Sequence, residues 1–204
     1  LQEYNGERFM RRLRDIFYLY NYPEKNYAIY YGMEFREFIR YEPNNIKNIL
    51  LLNMGFLNWV NYDHNNNTSL VYIDEKNMDQ FLTEDHHDFG DFGWIDFQEH
   101  EKLNNLNPNE VAELLYLGHK FRPVSSPFFD KIDNRYAYLA HDDGWFCKFH
   151  YKYINDLKEI VANKVVETTS SIFKKRKIYP ISNEIKEQLL NLCNNGLVIN
   201  FSYI

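Results

Sequence analysis

Asp143-Gly144 stands between two aromatic-bearing runs that read as alternating strands, Arg135 to Asp142 and Trp145 to Lys152. Asp-Gly supplies the positive φ that both central residues of a type I′ turn require, so the stretch 135–153 predicts a β-hairpin. Counting outward from the turn pairs Asp142 with Trp145, His141 with Phe146 and Ala140 with Cys147. The count continues with Leu139 opposite Lys148, Tyr138 opposite Phe149, Ala137 opposite His150 and Tyr136 opposite Tyr151. Because side chains alternate between faces, this register sorts them. Tyr136, Tyr138, Ala140, Asp142, Trp145, Cys147, Phe149 and Tyr151 form the expected core face. Arg135, Ala137, Leu139, His141, Phe146, Lys148, His150 and Lys152 form a wetter one.

That register disposes of an apparent site. His141-Asp142-Asp143 looks like three metal or acid–base ligands in a row, but His141 and Asp142 point to opposite faces. His141 and His150 share a face about four residues apart, roughly 13 Å at ~3.4 Å per residue, too far for one ion. A site using His141 needs ligands from outside the hairpin.

Elsewhere the periodicity changes. Phe9, Leu13, Ile16, Phe17 and Tyr20 recur at helical spacing and predict an amphipathic helix over 7–20, stopped before Pro23. Tyr27 to Tyr31 reads as a short strand or as the lead into a helix carrying Phe35, Phe38 and Ile39. Ile46, Ile49, Leu50, Phe56 and Leu57 fit a further helix. Asn65-Asn66-Asn67 reads as a turn before a strand at 69–73, and Trp94 to Phe97 as another strand. Asn107-Pro108-Asn109-Glu110 is the strongest helix start, with Asn107 as cap, Pro108 in the first turn and Glu110 reaching back. The helix it opens carries Val111, Leu114 and Leu115 and ends near Gly118. Leu157, Ile160, Val161, Val165 and Ile172 define a long helix from Asn155 to about Lys175. A last helix follows a cap at Ser182 or Asn183, with Ile185, Leu189 and Leu190 inward. Asn194-Asn195-Gly196 stops it before a closing strand. The expected fold is a single α+β domain over 1–204, with several amphipathic helices on a mainly antiparallel sheet.

Two unpaired cysteines, Cys147 and Cys193, give no disulfide framework or zinc ribbon and lead us to expect a cytoplasmic protein. The best apolar run, Ile49 to Val60, is broken by Asn53 and Asn58 and falls short of the ~20 residues that span a bilayer. A net charge of −6 argues against nucleic acid and anionic membrane as partners. Arg11, Arg12, Arg14 and Lys174-Lys175-Arg176-Lys177 run against that balance and read as solvated helix faces or ends. Nucleic-acid binding through them is the weakest of three functional readings.

Asp88-Phe89-Gly90-Asp91-Phe92-Gly93 repeats a kinase triplet, but no glycine-rich loop, strand lysine or HRD loop accompanies it. From Glu84 to Glu101 there are seven carboxylates, three histidines and no basic residue. With the aromatic content of 18%, that density supports the leading expectation: a non-catalytic protein-binding or regulatory module with an acidic, aromatic-rich surface for a basic protein partner. Asp85, Asp88, Asp91, Trp94 and Glu99 are its candidate binding residues, and no cofactor is expected. The alternative is a metal-dependent hydrolase or phosphoesterase, with a divalent ion held by His86, His87, Asp88 and His141.

Overall fold

The computed structural model describes residues 16–53, 62–83, 92–120, 126–141, 146–172 and 181–201. They form an α+β fold in which every strand pairing described below is antiparallel. The chain divides into two compact units, one made of residues up to Pro43 and from Ile154 onward, the other of Asn44–Tyr153.

In the first unit, β1 (Ile16–Tyr22) and β2 (Tyr27–Tyr31) make a hairpin across a 3-10 turn at Pro23–Lys25, closed by Asn26 at φ 50°. β9 (Leu197–Asn200) pairs with the other edge of β1. The helix expected over 7–20 is therefore corrected: 16–22 is a strand, and the remainder of that range lies outside the described residues. Within 16–22 the side chains alternate at period two, Phe17, Leu19 and Asn21 against Ile16, Tyr18, Tyr20 and Tyr22. Ile, Phe and Tyr, which favour a pleated surface, decide between the two readings. Three helices belong to this unit: α1 (Phe35–Tyr41), α5 (Ile154–Ile172) and α6 (Asn183–Cys193). α5 packs on α1 and α6, and α6 packs on β1 and β9. Leu157, Ile160 and Val161 are buried as expected. On α6 Leu190 is buried as expected and Cys193 is buried with it, Leu189 is half-buried, and the expected inward Ile185 is corrected, being 44% exposed.

The second unit is a sheet ordered β4 (Asp63–His64), β5 (Val71–Ile73), β3 (Asn48–Asn53), β6 (Phe92–Phe97), β7 (Tyr136–His141) and β8 (Phe146–Tyr151). Its helices are α2 (Glu75–Thr83), α3 (His100–Leu103) and α4 (Pro108–Lys120). β3 replaces the helix expected around Ile49. An apolar run of this length, buried on both faces, is a central strand, and Ile49, Leu50, Leu51 and Leu52 are all buried between β5 and β6.

The β7–β8 register is the one counted from Asp143-Gly144, from Tyr136 opposite Tyr151 to His141 opposite Phe146. The turn itself lies outside the described residues. Both faces of the hairpin are buried, however, and the wetter face expected for Ala137, Leu139 and His150 is corrected. Ala137 and Leu139 join one apolar cluster with Leu50, Ile95, Leu114, Leu117 and Ile132, because α4 and the segment before β7 cover that side. Gly118 makes the cover possible: a Cβ there would stand 2.4 Å from the Leu52 carbonyl oxygen. That glycine serves close packing, and α4 runs past it to Lys120. The start of α4 is as read from sequence. Glu110 Oε2 accepts the Asn107 N–H at 2.7 Å, and Asn107 Oδ1 accepts those of Asn109 and Glu110 at 2.9 and 3.1 Å.

Candidate binding surface

The tyrosines of β1 and β2 fall on one side of their ribbon. β1 alternates strictly, with Phe17, Leu19 and Asn21 buried and Ile16, Tyr18, Tyr20 and Tyr22 half-buried. β2 does the same, with Ala28 and Tyr30 buried and Tyr27, Ile29 and Tyr31 half-buried. Directly opposite residues share a face. Tyr18 stands between Tyr31 and Val198, Tyr20 lies opposite Ile29, Tyr22 opposite Tyr27, and Ile16 opposite Asn200.

The buried side meets α6. Asn21 Nδ2 donates to Asn194 Oδ1, at the C-terminal cap of α6, at 2.7 Å. The other side is thereby fixed as Ile16, Tyr18, Tyr20, Tyr22, Tyr27, Ile29, Tyr31, Val198 and Asn200. None of these nine positions carries a charged side chain.

The rings pack against one another. Tyr20 and Tyr22 have centroids 4.7 Å apart and tilted by 45°, and Tyr22 and Tyr27 are stacked at 4.6 Å and 28°. Gly196, at φ +87°, lets the row lie down over the start of β9. A Cβ there would sit 3.3 Å from Tyr20 Cδ2 and 3.9 Å from Tyr18 Cε2. Val198 beside Tyr18 is 62% exposed. Burial raises the Tyr27 and Tyr31 hydroxyls above the usual tyrosine range, and the neighbouring Tyr22 adds to the shift at Tyr27. Tyrosine hydroxyls both donate and accept. Chemically it is a row of mutually tilted and stacked tyrosine rings with no charged side chain at its own positions.

The residues singled out from sequence are not brought together by the described structure. Asp85, His86, His87, Asp88 and Asp91 lie outside the described residues. Trp94, grouped with them for binding, is wholly buried on β6 and stacks on Tyr138 at 5.3 Å and 13°; it is a core residue, because β6 is central and covered on both faces. Glu99 is exposed, with Lys102 Nζ 3.8 Å from its carboxylate. Asp96, counted in the acidic segment, is 2% exposed and serves the sheet. Its carboxylate accepts the backbone N–H of Tyr136 at 2.6 Å and of Arg135 at 2.9 Å. The backbone of His141 lies on β7 opposite Phe146. Among the described residues, no three His, Cys, Asp or Glu side chains are grouped to hold a metal ion.

Two further polar features are built into the units. Between α1 and α5, Lys164 Nζ donates to both Glu37 oxygens at 2.9 and 3.0 Å, and Tyr41 donates to the same carboxylate at 3.3 Å. Glu37 also accepts the Glu34 N–H at 2.8 Å, so it closes the α1 capping box. At the start of α4, an open polar cleft of about 390 Å³ is lined by Asn107, Glu113, Ser126, Phe128 and Asp130 among others.

Among the described residues no helix is long and apolar enough to cross a membrane. No protein-family model matches the chain, and no curated protein or solved structure matches it.

Proposed function

We propose that this chain is a non-catalytic protein-binding module whose binding surface is centred on the tyrosine face of β1, β2 and β9. The observation that carries this reading is the placement of five tyrosines, two isoleucines and Val198 on the side of the strands opposite α6. Tyrosine gives rigid contact area with a polar tip, at little conformational cost, which suits recognition of another protein. The net charge of −6 favours a basic partner. The acidic residues Asp85, Asp88, Asp91 and Glu99 belong to the other unit and stand as a separate proposal for a basic partner, and buried Trp94 has no part in either.

The test is capture from native extract by the wild-type chain and by a Tyr20→Leu/Tyr22→Leu variant, followed by rebinding of the purified captured protein. The expected result is a protein retained by the wild type, weakened by salt and lost with the variant. Equal retention by both chains would remove the tyrosine face from the account.

A further inference from the structure

We propose that Asn195-Gly196 is a latent deamidation site: the turn that joins α6 to β9 keeps it closed, and local opening of that turn admits the reaction. The proposal is independent of the binding reading above.

The chemistry is intrinsic to the dipeptide. A base takes the proton from the Gly196 backbone nitrogen, which attacks Asn195 Cγ. The N–Cγ bond forms, the Cγ–Nδ2 bond breaks, and Nδ2 leaves as ammonia. Water then opens the resulting succinimide at either carbonyl. One opening gives aspartate; the other gives isoaspartate, in which the main chain runs through the side-chain carbons. Water is the only co-reactant. A Cβ at 196 would crowd the attacking nitrogen, and glycine has none. The chain carries two Asn-Gly pairs, of which Asn5-Gly6 lies outside the described residues.

The fold presents this pair to solvent and holds its reacting groups apart. Asn195 is exposed, so base and water reach it. Both groups are nevertheless engaged elsewhere. The Gly196 N–H donates to the Cys193 carbonyl at 3.2 Å. Asn195 Nδ2 donates back along α6 to the Asn191 carbonyl at 3.1 Å. Attack requires the first bond to break so that the nitrogen can lose its proton. It requires the second to break so that Cγ can turn toward that nitrogen. These bonds close the end of a helix, and helix ends fray before helix middles. Two further bonds brace the turn: the Asn195 N–H to the Leu192 carbonyl at 3.0 Å, and Asn21 Nδ2 from β1 to Asn194 Oδ1 at 2.7 Å.

Either product weakens the joint that had closed the site. A carboxylate at 195 replaces the Nδ2 donor to Asn191 and places negative charge at the negative end of α6. Isoaspartate lengthens the main chain just before Leu197, the residue that pairs with Leu19. Modification thus turns a transient opening of the α6–β9 joint into a permanent one.

The test incubates the full chain in mildly alkaline buffer and follows residue 195 by peptide mapping, which separates it from Asn5. A synthetic peptide spanning 191–199 gives the rate without the fold. The native chain should react at 195 more slowly than the peptide by about tenfold or more, since two hydrogen bonds must open first. Asn21→Ala, which removes one brace, should speed the reaction in a chain that circular dichroism shows to be folded. Urea well below the unfolding midpoint gives a second measure that needs no variant: the rate should rise only weakly, as for a local opening. Asn195→Asp, one of the products, should melt below the wild type.

Equal rates in chain and peptide would mean that the fold does not close the site, and would overturn the proposal. So would a native rate that follows global unfolding alone, steep in urea and unchanged in a folded Asn21→Ala chain. An unreactive peptide would overturn the chemistry itself. An Asn195→Asp chain as stable as the wild type would overturn the effect assigned to the modification.

Discussion

Asp96 holds the entry of β7 in place: its carboxylate, 2% exposed, accepts the Tyr136 N–H at 2.6 Å and that of Arg135 at 2.9 Å. A buried carboxylate that accepts backbone N–H groups makes stronger bonds than a neutral acceptor, and its removal strands the donors. Asp96→Ala should cost about 3 kcal/mol, read as a lower urea midpoint, with Asp96→Asn costing less. An unchanged midpoint in both would mean that the carboxylate has no structural task.

The Lys164–Glu37 pair joins α5 to α1 with side chains only 6% and 21% exposed. Removing one partner leaves the other charged in a poor solvent for charge. Lys164→Met should therefore destabilise by about 3 kcal/mol, and Glu37→Gln by less, since Gln still accepts. A Lys164→Met/Glu37→Gln chain should recover part of the loss in a double-mutant cycle. Strict additivity would contradict the pairing.

His150, 3% exposed on β8, is held neutral: burial, with Lys148 as a lesser cause, pushes its pKa down to about 3. An unfolded histidine titrates near 6.5, so between pH 6.5 and 3 the unfolded chain binds the extra proton. The stability contributed by His150 is complete above pH 6.5 and is lost as pH falls through that window. Between pH 6.5 and 4.5 the wild type should lose about 2 kcal/mol that a His150→Leu chain keeps. Parallel melting curves across that range for the two chains would contradict it.

Gly118 lies where α4 crosses β3, and a Cβ would stand 2.4 Å from the Leu52 carbonyl oxygen and 2.8 Å from its carbon. Helix propensity alone would make Gly118→Ala stabilising by about 1 kcal/mol. Because the neighbour is backbone, the outcome should reverse, with a lower melting temperature for the alanine chain. A rise in melting temperature would show that α4 can shift away from β3 at little cost.

The strand hairpin and the α4 cap were legible because their signals are local. Asp143-Gly144 sets the β7–β8 register, and Asn107 and Glu110 satisfy each other within one turn. What sequence did not reveal depends on partners far along the chain. Ile49 and Leu50 read as helix because they fit a helical pattern with Ile46, Phe56 and Leu57; they are strand because β5 and β6 lie on either side. The face carrying His150 read as wet because nothing in the hairpin announces that α4 covers its other side. Trp94 read as a binding aromatic, and Asp96 as one acid in a solvated cluster, since burial is decided by what packs over β6. The tyrosine face had a signal that was passed over: Tyr18, Tyr20 and Tyr22 at period two, then Tyr27, Ile29 and Tyr31 after a four-residue turn. Helical spacing from Phe9 to Tyr20 competed with it, and residues that fit two periods are settled by strand pairing.

The most direct measurement of the central claim is a hydrogen-exchange and side-chain oxidation footprint of the full chain, free and with its purified captured partner. The account predicts protection of Tyr18, Tyr20, Tyr22 and Val198, together with slowed exchange along β1 and β9. Protection confined to 84–91, with the tyrosine face as reactive in the complex as in the free chain, would contradict it.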